Sequence, residues 1–334
     1  MRETASIPGP ENRTNDRSAP AAAPKVLSSA LSIASRVAPT LAAEAASRLF
    51  LLVPRVPRPR GEAASFLGSG ERLSFREGRR KLAAWSWGSG PAILLVHGWG
   101  GRGAQMRTFV PALVAAGYRA VVFDGPGHGF SRGLSASLPA FADAIAEVAG
   151  ATGARGAVAH SLGGAWTLVA LSRGLELERA VLIGAPSGAE RIWRGWGRAL
   201  GLDDEVAAAA RLRIEKRVGT DFAALNVASF GRAIETPVLL VHDREDAEIP
   251  WSDAEENARL LPAARLVATR GLGHRRILRD PAVVTQAVRF LADGIAPARC
   301  AGCTRALGGA GTSALCGTCV LGRELFDRDR RFAA

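Results

Sequence analysis

Val158-Ala159-His160-Ser161-Leu162-Gly163-Gly164 is the stretch on which the reading of this chain turns. The run Gly156-Ala157-Val158-Ala159 suits a strand buried on both faces, and a helical pattern follows over 162–173. A strand that enters a sharp turn and then a helix lifts the hydroxyl at the turn clear of the sheet. The small residues at 159 and 163 let strand and helix approach closely. A Ser-x-Gly pattern alone is common by chance, so its weight comes from what surrounds it.

Upstream, the buried run Ala92–Val96 ends in His97-Gly98-Trp99-Gly100-Gly101. Glycines there let backbone N–H groups point into a site, and a developing oxyanion needs such donors at about 3 Å from a rigid source. Arg119–Phe123 is a further strand, followed by Asp124-Gly125-Pro126-Gly127-His128-Gly129-Phe130-Ser131. The expected job of that loop, His128 included, is to hold the strand-end loops together. Leu82–Trp87, Ala180–Ile183, Val238–Val241 and Arg265–Val267 also read as strands, with helical patterns near 104–116, 138–150, 252–261 and 280–293. This alternation predicts a doubly wound, mostly parallel α/β sheet, with functional residues just past the C-terminal ends of its strands.

His274 lies in Arg270-Gly271-Leu272-Gly273-His274, after the last strand and before the final helix. A general base there can reach both a serine hydroxyl and an orienting acid. His97 and His160 belong to the glycine loop and the serine turn, and His242 ends a strand. Between serine and histidine, His242–Pro250 offers four carboxylates: Asp243, Glu245, Asp246 and Glu248.

Together these motifs resemble the α/β-hydrolase family over about residues 67–293. The serine turn resembles its nucleophile elbow, Gly-x-Ser-x-Gly, with Ala159 in place of the first glycine. Asp124–Ser131 is similar to its Asp-x-x-Gly-x-Gly-x-Ser loop. The resemblance implies Ser161 as nucleophile, His274 as base, and the backbone N–H groups of Trp99 and Leu162 as oxyanion donors. The family's acid is followed by two residues, then Val or Ile, then Pro, which implies Asp246. Asp243 stands where the family has glycine, and it and Glu245 are read as solvated loop charges. Relatives that form an alkyl-enzyme ester carry aspartate at the elbow, so Ser161 favours acyl transfer. The implied activity is hydrolysis of a carboxylic ester or related small acyl compound through an acyl-enzyme, with no cofactor for catalysis. The same triad supports acyl transfer to another acceptor or carbon–carbon bond hydrolysis. A non-catalytic binding or scaffold protein on this fold is the alternative of a different class.

The rest of the chain falls around this body. Of its 334 residues, 1–24 are rich in Pro, Ala, Asn and Arg and are expected to be disordered. Residues 25–60 read as a helix that Pro39 divides, then an Arg-Pro linker. The hydrolase-like body spans 61–294, interrupted at 187–235 by a helical cap whose Trp193 and Trp196 are candidates for lining a pocket. The apolar stripe of the N-terminal helix is expected to pack on the body. Contact with an anionic membrane surface through 25–60 is the alternative.

The net charge of +12 is concentrated at the ends, +5 over residues 1–60 and +3 over 295–334, so no nucleic-acid partner is expected. No stretch approaches the ~20 apolar residues of a membrane span, and no secretory signal is visible, which points to the cytoplasm. Nothing in the sequence fixes an oligomeric state. The C-terminal tail, 295–334, carries Cys300-x2-Cys303-x12-Cys316-x2-Cys319. Two such turns can complete a tetrahedron of thiolates, so a closed structural zinc site is expected there, with redox chemistry and unligated thiols as alternatives.

Overall fold

Short runs of branched apolar residues become central strands because only a sheet covered on both faces satisfies their backbone and buries every side chain. In the computed structural model, which describes residues 25–54, 59–78 and 80–297, these runs form one eight-stranded sheet. The strands are β1 (Glu71–Glu77), β2 (Arg80–Trp87), β3 (Ala92–Val96), β4 (Arg119–Phe123), β5 (Ala154–His160), β6 (Arg179–Ile183), β7 (Val238–Asp243) and β8 (Ala264–Thr269). Their spatial order is β1-β2-β4-β3-β5-β6-β7-β8. β1 and β2 enter antiparallel, and every pair from β4 onward is parallel. The expected segment 1–24 and the four-cysteine tail lie outside the described residues.

Twelve α-helices are present among the described residues: α1 (Lys25–Val37), α2 (Pro39–Leu51), α3 (Glu62–Gly68), α4 (Phe109–Ala115), α5 (Leu138–Thr152), α6 (Leu162–Ser172), α7 (Ala189–Ala199), α8 (Asp204–Val218), α9 (Val227–Phe230), α10 (Trp251–Leu260), α11 (Gly273–Arg276) and α12 (Pro281–Ala292). The two-residue period of each strand sends alternate side chains to opposite layers. Leu94, Val96 and Val121 pack with Phe141 and Trp166 on one face, whereas Ile93, Leu95 and Val122 pack with Phe109 and Leu291 on the other. Local signals set the helix ends. Asp280 caps α12 by accepting from the N–H groups of Ala282 and Val283, both at 3.0 Å, with Pro281 in the first turn.

Helices α7, α8 and α9 lie between β6 and β7 as the cap. Pro39 separates α1 from α2, and α2 packs along α8. Arg217 of α8 donates to Ser47 Oγ at 2.6 Å and to the Glu44 carboxylate, and the backbone N–H of Asp203 donates to Ser35 Oγ at 3.1 Å. Hydrogen bonds from Arg217 and Arg48 hold the Glu44 carboxyl down to about 2. The N-terminal helices are thus fastened to the cap.

Candidate active site

β5 ends in the turn that the sequence singles out. Ser161 has φ 55° and ψ −131°, and it is the one non-glycine residue with positive φ among the described residues. A side chain in that region is strained, and the strain is held by neighbours that leave no alternative. The Ser161 N–H donates to Ile183 O at 2.8 Å, and its carbonyl accepts from Gly164 N–H at 2.8 Å. Gly163 has to be glycine for a reason the sequence suggested only in part. A Cβ there would stand 2.5 Å from the carbonyl oxygen of His97, so the close approach is to the end of β3.

His274 sits on α11, just after β8, and its Nε2 lies 2.9 Å from Ser161 Oγ. Its Nδ1 lies 2.7 Å from Asp246 Oδ2. A carboxylate only accepts, so Nδ1 carries the proton and the Nε2 lone pair faces the serine hydroxyl. Asp246 Oδ1 accepts from the N–H groups of Glu248 and Ile249, at 2.8 and 2.9 Å. Burial pushes the Asp246 carboxyl up, but the His274 hydrogen bond and charge and those two N–H donors outweigh it and hold the group below its ordinary value. The structure therefore brings Ser161, His274 and Asp246 into one hydrogen-bonded chain.

The two amides read as oxyanion donors lie beside it. Leu162 opens α6, so its N–H has no intrahelical partner. Trp99 follows Gly98, where a Cβ would come within 2.9 Å of Ser161 Cβ. Two buried histidines hold the Trp99 loop. His97 Nε2 accepts from Gly125 N–H at 2.9 Å while its Nδ1–H donates to Gly98 O at 2.7 Å. His128 Nε2 accepts from Gly100 N–H at 3.0 Å while its Nδ1–H donates to Pro126 O at 2.8 Å. Both rings must stay neutral to do this. Burial keeps them so, taking His97 well below its ordinary value and His128 to about 4. Asp124 ties the same loops by accepting from Gly103 N–H at 2.7 Å and Phe130 N–H at 2.8 Å.

One expectation fails. Asp243 is not a solvated loop charge but is fully buried. It accepts from Thr269 Oγ1 at 2.7 Å, from Glu245 N–H at 3.0 Å and from Leu272 N–H at 3.0 Å. It thereby ties the end of β7 to the loop that carries His274. Its position in an acid-rich stretch hid this, because Thr269 and Leu272 reach it only in the folded chain. Glu245 is exposed, as expected.

Two cavities meet at Trp99. The polar one is lined by Ser161, His160, His274, Gly98 and four arginines, 107, 275, 276 and 279. The apolar one is lined by Leu162 and Trp166 of α6, Trp196 of the cap, Phe222, Leu225, and Phe50 and Leu51 of α2. Trp196 thus lines a pocket. Trp193 is buried instead against Phe50, with ring centroids 5.2 Å apart at 84°. The part played by α2 was missed in the sequence. Its one signal is the apolar run Leu49-Phe50-Leu51-Leu52 at the helix end.

Comparison with known proteins agrees with the fold. The chain is 28% identical to the pimeloyl-[acyl-carrier protein] methyl ester esterase of Xanthomonas oryzae pv. oryzae (strain MAFF 311018), covering 61% of this chain and 96% of that one. Its fold is similar to that of a thermophilic esterase from Thermogutta terrifontis, with TM-score 0.50, 20% identity, and coverage of 67% and 98%. It is also similar to the meta-cleavage product hydrolase of Pseudomonas fluorescens IP01, with TM-score 0.52, 19% identity, and coverage of 66% and 97%. A family model, "Alpha/beta hydrolase family", matches residues 93–287, more than half of the chain. The protein is a hydrolase of the alpha/beta hydrolase family.

Proposed function

We propose that the protein hydrolyses carboxylic esters of apolar acids through an acyl-enzyme on Ser161. The observation that carries the reading is the hydrogen-bonded chain Ser161–His274–Asp246, at 2.9 and 2.7 Å, on a strained serine. His274 Nε2 takes the hydroxyl proton as Oγ attacks the carbonyl carbon. The Trp99 and Leu162 N–H groups hold the oxyanion, and Asp246 stabilises the imidazolium. Collapse breaks the carbon–oxygen bond, and the leaving alcohol departs with the proton from His274. Water, deprotonated by the same nitrogen, then releases the acid. No cofactor enters any step.

The apolar cavity beside Leu162 supports an acyl chain as the group bound. The likeness to the Xanthomonas methyl ester esterase supports an ester as the bond cleaved. A fluorophosphonate should label the protein, and Ser161→Ala should lose both labelling and ester hydrolysis while far-UV circular dichroism is unchanged. Full labelling of that variant would remove Ser161 from its role.

A further inference from the structure

His274 is followed by Arg275, Arg276 and Arg279, and all three line the cavity that holds Ser161, together with Arg107. Glu248 is the carboxylate in that lining, and it pairs with Arg275 at 2.9 Å. Arg107 lies 3.5 Å from Glu62. The remaining two have no carboxylate partner among the described residues. Arg276 donates to the backbone carbonyls of Leu272 at 3.1 Å and Gly271 at 2.7 Å. The Arg279 side chain makes no hydrogen bond or ion pair among the described residues. Both are exposed, so a ligand can reach them.

Their position relative to the reacting atoms decides what they meet. In the mechanism proposed above, His274 Nε2 hands its proton to the leaving group. That group must therefore stand on the His274 side of the carbonyl, while the acyl chain occupies the apolar cavity next to Leu162. Arg276 ends α11, the short helix that carries His274, and Arg279 lies in the 3-10 turn immediately after it. The geometry points to an anion-binding subsite for the leaving group: the substrate is an ester or thioester whose alcohol or thiol portion carries a carboxylate or a phosphate, held by Arg276 and Arg279. This subsite rests on the Ser161 reading. Guanidinium groups suit it because their forked donors match either oxyanion in bidentate fashion. The cation lost from the surface when Glu248 neutralises Arg275 does not weaken it, since the other two remain uncompensated.

Two matched pairs of substrates test it. The first is the octanoyl ester of 3-hydroxybenzoate against that of its methyl ester. The second is octanoyl-coenzyme A against octanoyl-N-acetylcysteamine. The anionic member should have the higher kcat/KM by about tenfold at low salt in one pair or both, the size of a charge-assisted hydrogen bond. The pair that responds identifies carboxylate or phosphate. The ratio should fall toward one in Arg276→Gln/Arg279→Gln, should fall comparably in Arg279→Glu, which removes the same two units of positive charge, and should shrink as salt is raised. Equal rates within both pairs, with Ser161 still labelled by the fluorophosphonate, would overturn the subsite alone. Loss of both labelling and turnover in the wild type would remove the nucleophile and the subsite with it.

Discussion

The ring of His160 donates its Nε2–H to the backbone carbonyl of His274 at 2.8 Å, so the residue before the serine holds the turn that carries the histidine. Burial, then the nearby His274, take the His160 ring down to about 3, which keeps it neutral at ordinary pH. A buried donor lost from such a contact is worth ~1–3 kcal/mol. His160→Phe should therefore lower kcat by roughly 10- to 100-fold with little change in KM, since it disturbs positioning rather than ester binding. His160→Gln, which can still donate, should recover part of the rate. An unchanged kcat in the phenylalanine variant would show that the contact positions nothing.

The two buried aspartates of the 243–246 loop should separate by readout. Asp246→Asn favours the wrong imidazole tautomer and should cost on the order of 10⁴ in kcat. Asp243→Asn leaves Asp246 in place but weakens the tie to Thr269 and Leu272. It should lower unfolding stability by ~1–3 kcal/mol and kcat by less than about tenfold. Urea melts and steady-state rates on both variants check this, and a larger rate loss in the Asp243 variant would reverse the assignment.

Stability should fall with acid through the buried neutral histidines. An unfolded His titrates near 6.5, whereas His128 does so near 4 when folded. Between those values the unfolded state binds more protons, so the His128 contribution is full above about pH 6.5 and is lost as pH falls to about 4. That is about 3 kcal/mol for His128 alone. Asp124, which burial raises to about 6, acts in the opposite sense, so the clean measurement is differential. The stability difference between wild type and His128→Leu should narrow between pH 7 and 4.5 in urea titrations. A constant difference would mean that the ring is not held neutral.

Phe50 should set acyl-chain preference, because it lines the apolar cavity from outside the hydrolase body. Each buried methylene is worth about 0.8 kcal/mol, so kcat/KM should climb about fourfold per carbon until the cavity is full. Phe50→Ala and Trp196→Ala should move the optimum to longer chains. The same chain-length profile in both variants as in wild type would place the acyl group elsewhere.

The cysteine tail, outside the described residues, is expected to bind about one zinc per chain through Cys300, Cys303, Cys316 and Cys319. Cys303→Ser should reduce zinc content by elemental analysis and leave ester hydrolysis in place. Four freely titratable thiols in metal-free native protein would leave that site without support.

The strands were legible because buried runs such as Ala92–Val96 satisfy their constraints locally, and Ser161 and His274 because each sits in a short glycine-marked turn. β1 was not, since Glu71-Arg72-Leu73-Ser74-Phe75-Arg76-Glu77 places two large apolar residues among charges, as suits an edge strand half open to water. Asp243 was misread for a different reason. Burial of a carboxylate is decided by donors brought from 26 and 29 residues away, which no local pattern announces. The role of α2 in the cavity is of the same kind.

Phe50 and Leu51 belong to no part of the segment that matches the family, yet they wall the cavity beside the serine. The chain thus divides its labour. On the proposed function, one stretch would make and break bonds, and another, carrying none of the proposed reacting groups, would shape what is admitted to them. Two proteins sharing residues 93–287 but differing before residue 52 would be expected to run the same reaction on different substrates. A version trimmed to the family boundaries would keep its triad and lose one wall of its pocket.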